Sequence, residues 1–371
     1  MHILHLYKDY FPVVGGIENH IRVLAEAQAR AGQRVTVLAC AQGLRTRRET
    51  LNGVQVIKAG RLGTAASMPL SVAQPALLAR LRPDVVHIHS PYPLGEAANW
   101  LFGGAHATVI THHSDVVRQG GWLRLYGPIL RRVLNAADRI IATSPRYIET
   151  SPWLGAVRCK CVAVPLGVDA RRFRPPEKPF EGPPTLLFVG RLRYYKGLDT
   201  LLSALTQVPE VRLQVVGDGP MRVPWERLAG QLGLAERVRF TGDVDDQDLP
   251  QRYREAHAFV LPANARAEAF GTVLLEAMAS GLPCITTEVG TGTSWVVQHG
   301  VTGLVVPPRD SEALTEVIRA LLSDPERRLA LGRAGRARVE TEFAVERMIA
   351  RVQAVYDEAV GGCNRSEYRV R

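Results

Sequence analysis

The amino-acid sequence predicts two α/β domains, each built on a doubly wound parallel sheet. At 371 residues the chain is longer than one ordinary hydrophobic core and suits two domains. Short β-branched and apolar runs alternate with longer helical patterns from one end to the other. This alternation restarts after residues 171–184, a proline-rich segment of mixed charge that has the composition of a linker.

The predicted strands are mostly continuous apolar runs, which are typical of parallel strands that helices cover on both faces. They span residues 2–6, 34–38, 84–88, 107–111, 186–189, 212–216, 259–261, 283–286 and 304–306. Helical patterns occupy the intervals, beginning with a helix that ends near Ala31. The last two helices are predicted at about 325–340 and 343–360, separated near Thr341, and residues 361–371 are predicted to be disordered.

Composition and charge narrow the class of protein. The five cysteines are odd in number and form no C-x2-C pair, which argues against a disulfide framework or zinc ribbon and favours a reducing, cytoplasmic compartment. The absence of a signal pattern and of an apolar run of about 18 residues predicts neither secretion by that route nor a membrane span. The net charge of +10 favours anionic partners, but the sequence contains no basic-aromatic module for nucleic acid.

Histidines follow two of the predicted strands, at the carboxyl ends where open parallel sheets bind ligands. His87 and His89 follow one strand, and His112 and His113 follow the next. No carboxylate or thiolate set completes a metal site, so we expect hydrogen-bonding roles and no bound metal. His113 is a candidate donor to a sugar hydroxyl or to charge that develops in a transition state, and a structural histidine is the alternative.

Two loops combine glycine with features suited to phosphate. Gly15 and Gly16 precede the first helix, where backbone N–H groups can approach a ligand that a Cβ would block. A plain strand-to-helix turn is the alternative, since the full G-x-G-x-x-G spacing is absent. Gly190 ends a later strand, and Arg191 and Lys196 share the loop that follows it. Two cations on one loop are suited to clamping a diphosphate whose charge grows as a sugar departs.

Two carboxylates, Glu268 and Glu276, form an E-x7-E element. Glu268 is predicted in a loop and Glu276 about two turns into the next helix, on the side that faces this loop. One carboxylate can contact a sugar while the other binds ribose hydroxyls. A solvated helix carboxylate is the alternative for each, although the alanine-rich context offers few solvated positions.

Together these segments resemble the retaining glycosyltransferases often called family 4, which include bacterial mannosyl-, rhamnosyl- and glucosyltransferases. The likeness covers nearly the whole chain, and its most specific part is the E-x7-E element joined to Gly190, Arg191 and Lys196 upstream. The resemblance implies the GT-B fold, in which two Rossmann-like domains face each other across a cleft. Residues 1–168 would form the acceptor-side domain, completed by the helix at about 343–360, and residues 169–342 would bind the donor.

The resemblance also implies a role for each matching residue. His113 would contact the sugar near its 6-position, Arg191 and Lys196 would neutralise the diphosphate, and Glu268 would hold sugar hydroxyls; these four would be catalytic. Glu276 would bind the ribose, while Asp218, Gly219 and Asp243 would line the base. The donor-binding set is completed by Gly15, Gly16, Gly190, Phe270, Gly271 and Thr272. The enzyme would use a nucleotide-diphosphate sugar as its donor and would need neither a cofactor nor a metal. No enzyme carboxylate would attack the anomeric carbon.

Several features refine or limit this resemblance. Trp295 stands where many family members have Glu, which leaves the usual contacts of that side chain open. The run at 111–119 is similar to that of transferases for bacterial surface polysaccharides, which favours GDP-mannose or a related hexose donor and a glycan or lipid-linked acceptor.

Residues 118–134 combine apolar and arginine side chains, which predicts contact with an anionic membrane at its inner face; a buried helix with a basic edge is the alternative.

Two other functions compete with sugar transfer. One is a GT-B enzyme of different chemistry, such as an epimerase or a phosphorylase, but a phosphorylase would need a pyridoxal lysine and no lysine follows Lys196. The other is a regulator that binds nucleotide sugars without turnover. The joint presence of His113, Arg191, Lys196 and Glu268 favours activity.

Overall fold

The chain divides into two compact units, both of the α/β class that the sequence predicts. The structure is a computed structural model that describes residues 1–13, 15–65, 68–115, 120–178 and 180–362. Unit 1 comprises Met1–Pro165 together with the segment that begins at Met348, and unit 2 comprises Leu166–Arg347. No helix among these described residues is both long and apolar enough to cross a membrane.

Unit 1 contains an eight-stranded sheet in the order β10-β9-β8-β7-β1-β2-β4-β3, with a separate pair β5-β6. Its elements are β1 His2–Leu6, α1 Gly16–Arg30, β2 Arg34–Cys40, β3 Arg47–Leu51, β4 Val54–Ala59, β5 Gly63–Ala65, β6 Met68–Leu70, α2 Ala73–Leu78, β7 Val85–Ser90, α3 Pro93–Phe102, β8 Ala107–His112, α4 Gly120–Ala136, β9 Arg139–Ala142, α5 Pro145–Thr150 and β10 Cys161–Ala163. A 3₁₀ helix, Gly155–Lys160, precedes β10.

The centre of this sheet is parallel, as predicted. Strand β1 pairs with β7 on one side and β2 on the other, and the chain order reverses between these neighbours. The antiparallel β3-β4 hairpin was not predicted from the sequence. Its two-residue turn is Asn52-Gly53, and both residues have positive φ angles of 49° and 82°. Asn-Gly is a strong hairpin signal, but the polar, exposed strand Arg47–Leu51 lacks an apolar pattern.

Unit 2 contains a six-stranded parallel sheet in the order β13-β12-β11-β14-β15-β16. Its elements are β11 Thr185–Val189, α6 Leu198–Leu205, β12 Arg212–Val216, α7 Arg222–Gln231, β13 Val238–Gly242, α8 Leu249–Arg254, β14 Ala258–Leu261, α9 Thr272–Ala279, β15 Cys284–Thr287, α10 Thr293–Val296, β16 Gly303–Val306, α11 Ser311–Ser323 and α12 Pro325–Glu342. Because β11 pairs with β12 and β14, chain order reverses between β11 and β14. Ligands of open parallel sheets bind at such a point.

The last helix, α13, spans Val345–Gly361. The break from α12 therefore lies at Phe343 and Ala344, slightly beyond the predicted position near Thr341. Burial explains the shift, because the Phe343 side chain is enclosed in the core of unit 2 and Ala344 forms a β-bridge with Val168. Gly361, predicted to begin a disordered tail, is the last helical residue; residues 363–371 lie outside the described part of the chain.

Candidate functional site

The loop after β11 enters the chain-reversal point of unit 2, and two glycines allow it to pack closely. Gly190 has a φ of 140°, and a Cβ there would lie 3.2 Å from Nζ of Lys196. Gly197 has a φ of 69°, and a Cβ on it would collide with the carbonyl oxygen of Pro262. A 3₁₀ turn, Tyr194–Lys196, lies between them. The left-handed backbone of both glycines thus directs Lys196 inward.

Lys196 and Glu268, which the sequence analysis assigned to different parts of a donor, contact each other. Lys196 Nζ lies 2.6 Å from Glu268 Oε2, and both residues are only 8% exposed. Burial acts to lower the pKa of Lys196, but the Glu268 carboxylate, with smaller contributions from Tyr195 and Glu276, outweighs it, so the pKa is raised above its usual value. Lys196 therefore carries its positive charge at neutral pH.

The segment in which this chain departs from the family pattern braces the Glu268 loop. The Thr291 hydroxyl donates to the Glu268 carbonyl oxygen at 2.7 Å, and the Gly292 N–H donates to Ala269 O at 2.8 Å. Trp295 instead packs on the core: its ring lies 5.5 Å from that of Phe343, edge to face. The backbone turn at Thr291 and Gly292 therefore supports the Glu268 loop, while the indole of Trp295 packs against Phe343. Thr291 could not be identified from the sequence, because its role depends on a contact with a distant loop.

Glu276 lies just over one turn into α9 rather than the two turns predicted, because that helix begins only at Thr272. Gly271 precedes it in the left-handed conformation, with a φ of 78°, and a Cβ there would crowd Leu261 and Leu274. Glu276 Oε2 accepts a hydrogen bond from the Tyr253 hydroxyl at 2.7 Å. Burial raises the pKa of Glu276 to about 7, although the Tyr253 hydrogen bond opposes this shift.

The other predicted residues of unit 2 surround the same loop. Leu192 N–H donates to Asp218 O at 2.9 Å, and Gly217 N–H donates to Gly242 O at 2.8 Å, which brings the turns after β11, β12 and β13 together. Asp218 forms an ion pair with Arg222 at 2.9 Å.

Three predicted residues of unit 2 differ in accessibility. Arg191 and Asp243 are exposed, and among the described residues neither forms an ion pair. Phe270 is buried, with its ring 6.4 Å from that of Phe343, so its side chain contributes to the core.

In unit 1, the predicted residues lie at the start of α1 and the end of β8. Gly15 precedes the helix in extended conformation and Gly16 is its first residue. His20, one turn further along, lies with its ring 5.2 Å from that of His113, edge to face. The helix start and His113 therefore belong to the same part of this unit.

His113 is one end of a buried histidine cluster of which sequence reasoning found only part. His5, His87, His89 and His113 are at most 5% exposed and His20 is 9% exposed. Desolvation lowers the pKa of every one, to about 4 for His5 and about 3 for His20, so all are neutral at pH 7. His5 was missed because it stands inside a predicted strand, and His20 because it lies on a helix.

This cluster contains the histidine groups that could hold a metal within the described ranges. The ligand atoms of His5, His87 and His89 lie within 4.8 Å of one another, as do those of His20, His89 and His113. Several of these nitrogens already contact each other at hydrogen-bonding distance. Neutral imidazoles suit a transition metal as well as hydrogen bonding. The absence of a metal therefore stays a prediction.

The segment predicted to contact a membrane coincides largely with α4. Tyr126 and Leu130 are buried, and the Tyr126 hydroxyl donates to Glu96, so part of the apolar face packs on unit 1. Arg124, Arg131 and Arg132 are exposed. Residues 116–119, and the side chains of 120–123 and 125, lie outside the description.

Comparisons with known proteins agree with the fold. Residues 169–338 match the family described as "Glycosyl transferases group 1", and residues 14–172 match "Glycosyltransferase Family 4". The chain is 37% identical over 354 residues to D-rhamnosyltransferase WbpZ of Pseudomonas aeruginosa, covering 92% of each chain. It is 34% identical over 360 residues to O-antigen chain mannosyltransferase C of Escherichia coli, covering 94% of this chain and 96% of that one.

A solved structure shows the same architecture. Sucrose-phosphate synthase from Thermosynechococcus elongatus matches with a TM-score of 0.83 and 26% identity, covering 97% of this chain and 99% of that one. The fold and these matches define a glycosyltransferase with the two-domain GT-B fold. The chain belongs to the group 1 and family 4 glycosyltransferases, and it acts in glycan synthesis.

Proposed function

We propose that this chain is a retaining hexosyltransferase that uses a nucleotide-diphosphate sugar as its donor and needs no metal. The observation that carries the proposal is the buried Lys196–Glu268 ion pair, which lies at the chain-reversal point of unit 2. A fixed cation and a fixed carboxylate there can serve the two halves of such a donor, its diphosphate and its sugar. Exposed Arg191 adds a second cation from the same loop.

Donor binding would redistribute the partners of this pair. The diphosphate oxygens would accept hydrogen bonds from Lys196 and Arg191, and the Glu268 carboxylate would turn to sugar hydroxyls. As the bond to the anomeric carbon breaks, negative charge grows on the diphosphate, so both cations stabilise the transition state more than the ground state. Gly190 leaves room beside Lys196 that a Cβ would occupy.

Retention would follow from the position of the leaving group. The departing diphosphate would take the acceptor's proton on the face from which it leaves, so the acceptor oxygen would bond to that same face. Glu268 would orient the sugar without attacking it. The Glu276 carboxylate would accept hydrogen bonds from the ribose, with the Asp218, Gly219 and Asp243 turns beside the base.

Metal independence is supported by the charges available at the site. The nearest Asp-x-Asp triplet is Asp243-Val244-Asp245, and both of its carboxylates are exposed in the loop after β13, which we assign to the nucleotide base instead of a metal. Lys196 and Arg191 would neutralise the diphosphate in place of a divalent ion. Transfer in EDTA tests this directly: we expect undiminished activity, whereas loss that magnesium or manganese restores would contradict the proposal.

The donor is proposed from the relatives. One relative is named a D-rhamnosyltransferase and another a mannosyltransferase. D-Rhamnose is 6-deoxy-mannose, so we propose a GDP-linked mannose-type hexose and a glycan or lipid-linked acceptor in surface polysaccharide or glycolipid synthesis. A screen of thermal shift and hydrolysis with GDP-, UDP- and dTDP-sugars tests the donor, because a ligand that binds the folded state raises its melting temperature. Failure of every nucleotide sugar to shift the melting temperature would contradict the proposal.

A cytoplasmic chain of this function would meet lipid-linked acceptors at a membrane. The exposed Arg124, Arg131 and Arg132 of α4 support a contact with anionic headgroups. Flotation with anionic liposomes at low salt tests this contact. Co-flotation that salt reverses is expected, and its absence would remove the proposal.

A further inference from the structure

Three histidines form one hydrogen-bonded row inside unit 1, and Gln28 closes one end of it. His5 Nε2 lies 2.8 Å from Gln28 Oε1, and His5 Nδ1 lies 3.1 Å from His89 Nε2. His89 Nδ1 in turn lies 3.0 Å from His113 Nε2. Gln28 is only 3% exposed. The row therefore links an amide on α1 to a predicted sugar-contacting residue after β8, with no exposed group between them.

A neutral imidazole has one N–H group and one lone pair, so the direction of one hydrogen bond fixes the direction of all. The Gln28 carbonyl oxygen can only accept, so His5 Nε2–H donates to it. His89 Nε2–H then donates to His5 Nδ1, and His113 Nε2–H donates to His89 Nδ1. His113 Nδ1 is left with a lone pair, and within the described ranges no residue donates a hydrogen bond to it.

A second row starts from the other end of the same amide. Gln28 Nε2 donates to Tyr356 Oη at 3.3 Å, and the Tyr356 hydroxyl donates to His87 Nδ1 at 2.6 Å. His87 Nε2–H then donates to Thr111 Oγ1 at 2.6 Å. Rotating the Gln28 side-chain amide by 180° would exchange its oxygen and nitrogen. The same groups would then be hydrogen-bonded only if His5, His87, His89 and His113 all changed to the Nδ1–H tautomer. One amide orientation thus sets four tautomers together.

We propose that Gln28 is a positioning residue that holds His113 in the Nε2–H tautomer and so presents its Nδ1 atom as a hydrogen-bond acceptor. The inference rests on the proposed function in one respect, because the donor to Nδ1 would be the 6-hydroxyl of the transferred sugar. A 6-deoxy sugar has no hydroxyl to donate there. Gln28, far from that hydroxyl along the row, would therefore influence the choice between the two kinds of sugar.

The first test needs no substrate. In protein labelled with ¹⁵N-histidine, long-range ¹H–¹⁵N spectra distinguish the two tautomers, and single histidine variants assign the signals. We expect Nε2–H at His5, His89 and His113 in the native chain. Gln28→Met removes the acceptor, so the Nδ1–H form of His113 should appear, whereas Gln28→Glu keeps an acceptor and should keep Nε2–H.

Three results would overturn the proposal. They are an Nδ1–H tautomer at His113 in the native chain, an unchanged His113 tautomer in a folded Gln28→Met variant, and a stoichiometric transition metal bound to the row. Metal analysis of the purified protein, before and after chelation, checks the third. A thermal melt shows whether each variant is folded; if Gln28→Met unfolds, an Nδ1–H tautomer at His113 in a folded Gln28→Glu variant would still overturn the proposal.

The second test measures KM for a donor with a 6-hydroxyl, GDP-mannose, and for its 6-deoxy counterpart, GDP-D-rhamnose. Gln28→Met should raise KM for GDP-mannose roughly threefold to tenfold, the value of one hydrogen bond, and leave the 6-deoxy donor within about twofold. Gln55→Met, at an exposed position of β4, is the matched control. Equal effects on both donors, with the tautomer change observed, would refute the sugar contact and leave the row itself established.

Discussion

The ammonium group of Lys196 lies 2.6 Å from Oε2 of Glu268, and both side chains are almost fully buried. Removing one member of such a pair leaves the other buried without a counter-charge, which costs more than the pair itself contributes. Under the proposed function the same pair also serves catalysis, so single substitutions should change both stability and activity. Separating the two effects requires the pair to be altered from each side.

We expect Lys196→Met to lower turnover by roughly 10²- to 10³-fold, the scale for losing one preorganised charge-stabilising group. It should also lower the free energy of unfolding by about 3–5 kcal/mol, because Glu268 loses its partner. The double variant Lys196→Met/Glu268→Gln should regain much of the stability and none of the activity. Normal turnover in the single variant, or recovered turnover in the double variant, would contradict the diphosphate role of Lys196.

Donor affinity should increase as pH rises through about 7. Burial raises the pKa of Glu276 to about 7, so this group is protonated below that pH, and above it the carboxylate can accept hydrogen bonds from the two ribose hydroxyls, as proposed. Tyr253→Phe removes a hydrogen bond that lowers this pKa, so the midpoint should move upward. Calorimetric titration from pH 6 to 8 measures both effects. Glu276→Gln should bind more weakly and independently of pH; a native chain equally insensitive to pH would refute the assignment.

Local patterns predicted much of this molecule. The parallel strands and the loops that carry Gly190, Lys196 and Glu268 follow from apolar runs and glycines, which the sequence displays directly. Contacts between distant segments were not predictable, because the position of Glu268 against Lys196, or of Gln28 against Tyr356, depends on how the helices pack. Glu276 was placed one turn too deep, since Gly271 delays the start of α9.

The buried histidines should make the fold sensitive to acid. Because the pKa of each buried histidine is lowered, the unfolded chain binds protons below about pH 6.5 while the folded chain does not. The stability that the neutral histidines contribute is therefore present above that pH and is lost as pH falls. Each histidine that stays neutral in the folded chain makes the free energy of unfolding fall by about 1.4 kcal/mol for each pH unit of acidification. For His5 this slope extends down to about pH 4.

Denaturant unfolding between pH 7.5 and 4.5 checks this prediction. His20→Gln should reduce the slope by the contribution of one proton, whereas His299→Gln, at an exposed position, should leave it unchanged. An unfolding free energy that stays constant between pH 7 and 5 would show that the cluster does not remain neutral in the folded protein.

Tyr356 is expected to attach α13 to unit 1 through its hydroxyl group, which contacts both Gln28 and His87. Tyr356→Phe keeps the ring and leaves those two buried partners unsatisfied. We expect a loss of about 1–3 kcal/mol in the free energy of unfolding. Hydrogen exchange should then increase selectively in α13; a variant as stable as the native chain would contradict this role.

The anomeric configuration of the product, compared with that of the donor, tests the central claim most directly. NMR of the first transferred sugar should show the donor's configuration retained, because the acceptor attacks on the face that the diphosphate leaves. Glu268→Gln should give a slower reaction with the same stereochemistry, and mass spectrometry should find no sugar bound to Glu268 in the native enzyme. An inverted product, or a covalent glycosyl-Glu268 adduct, would contradict the account.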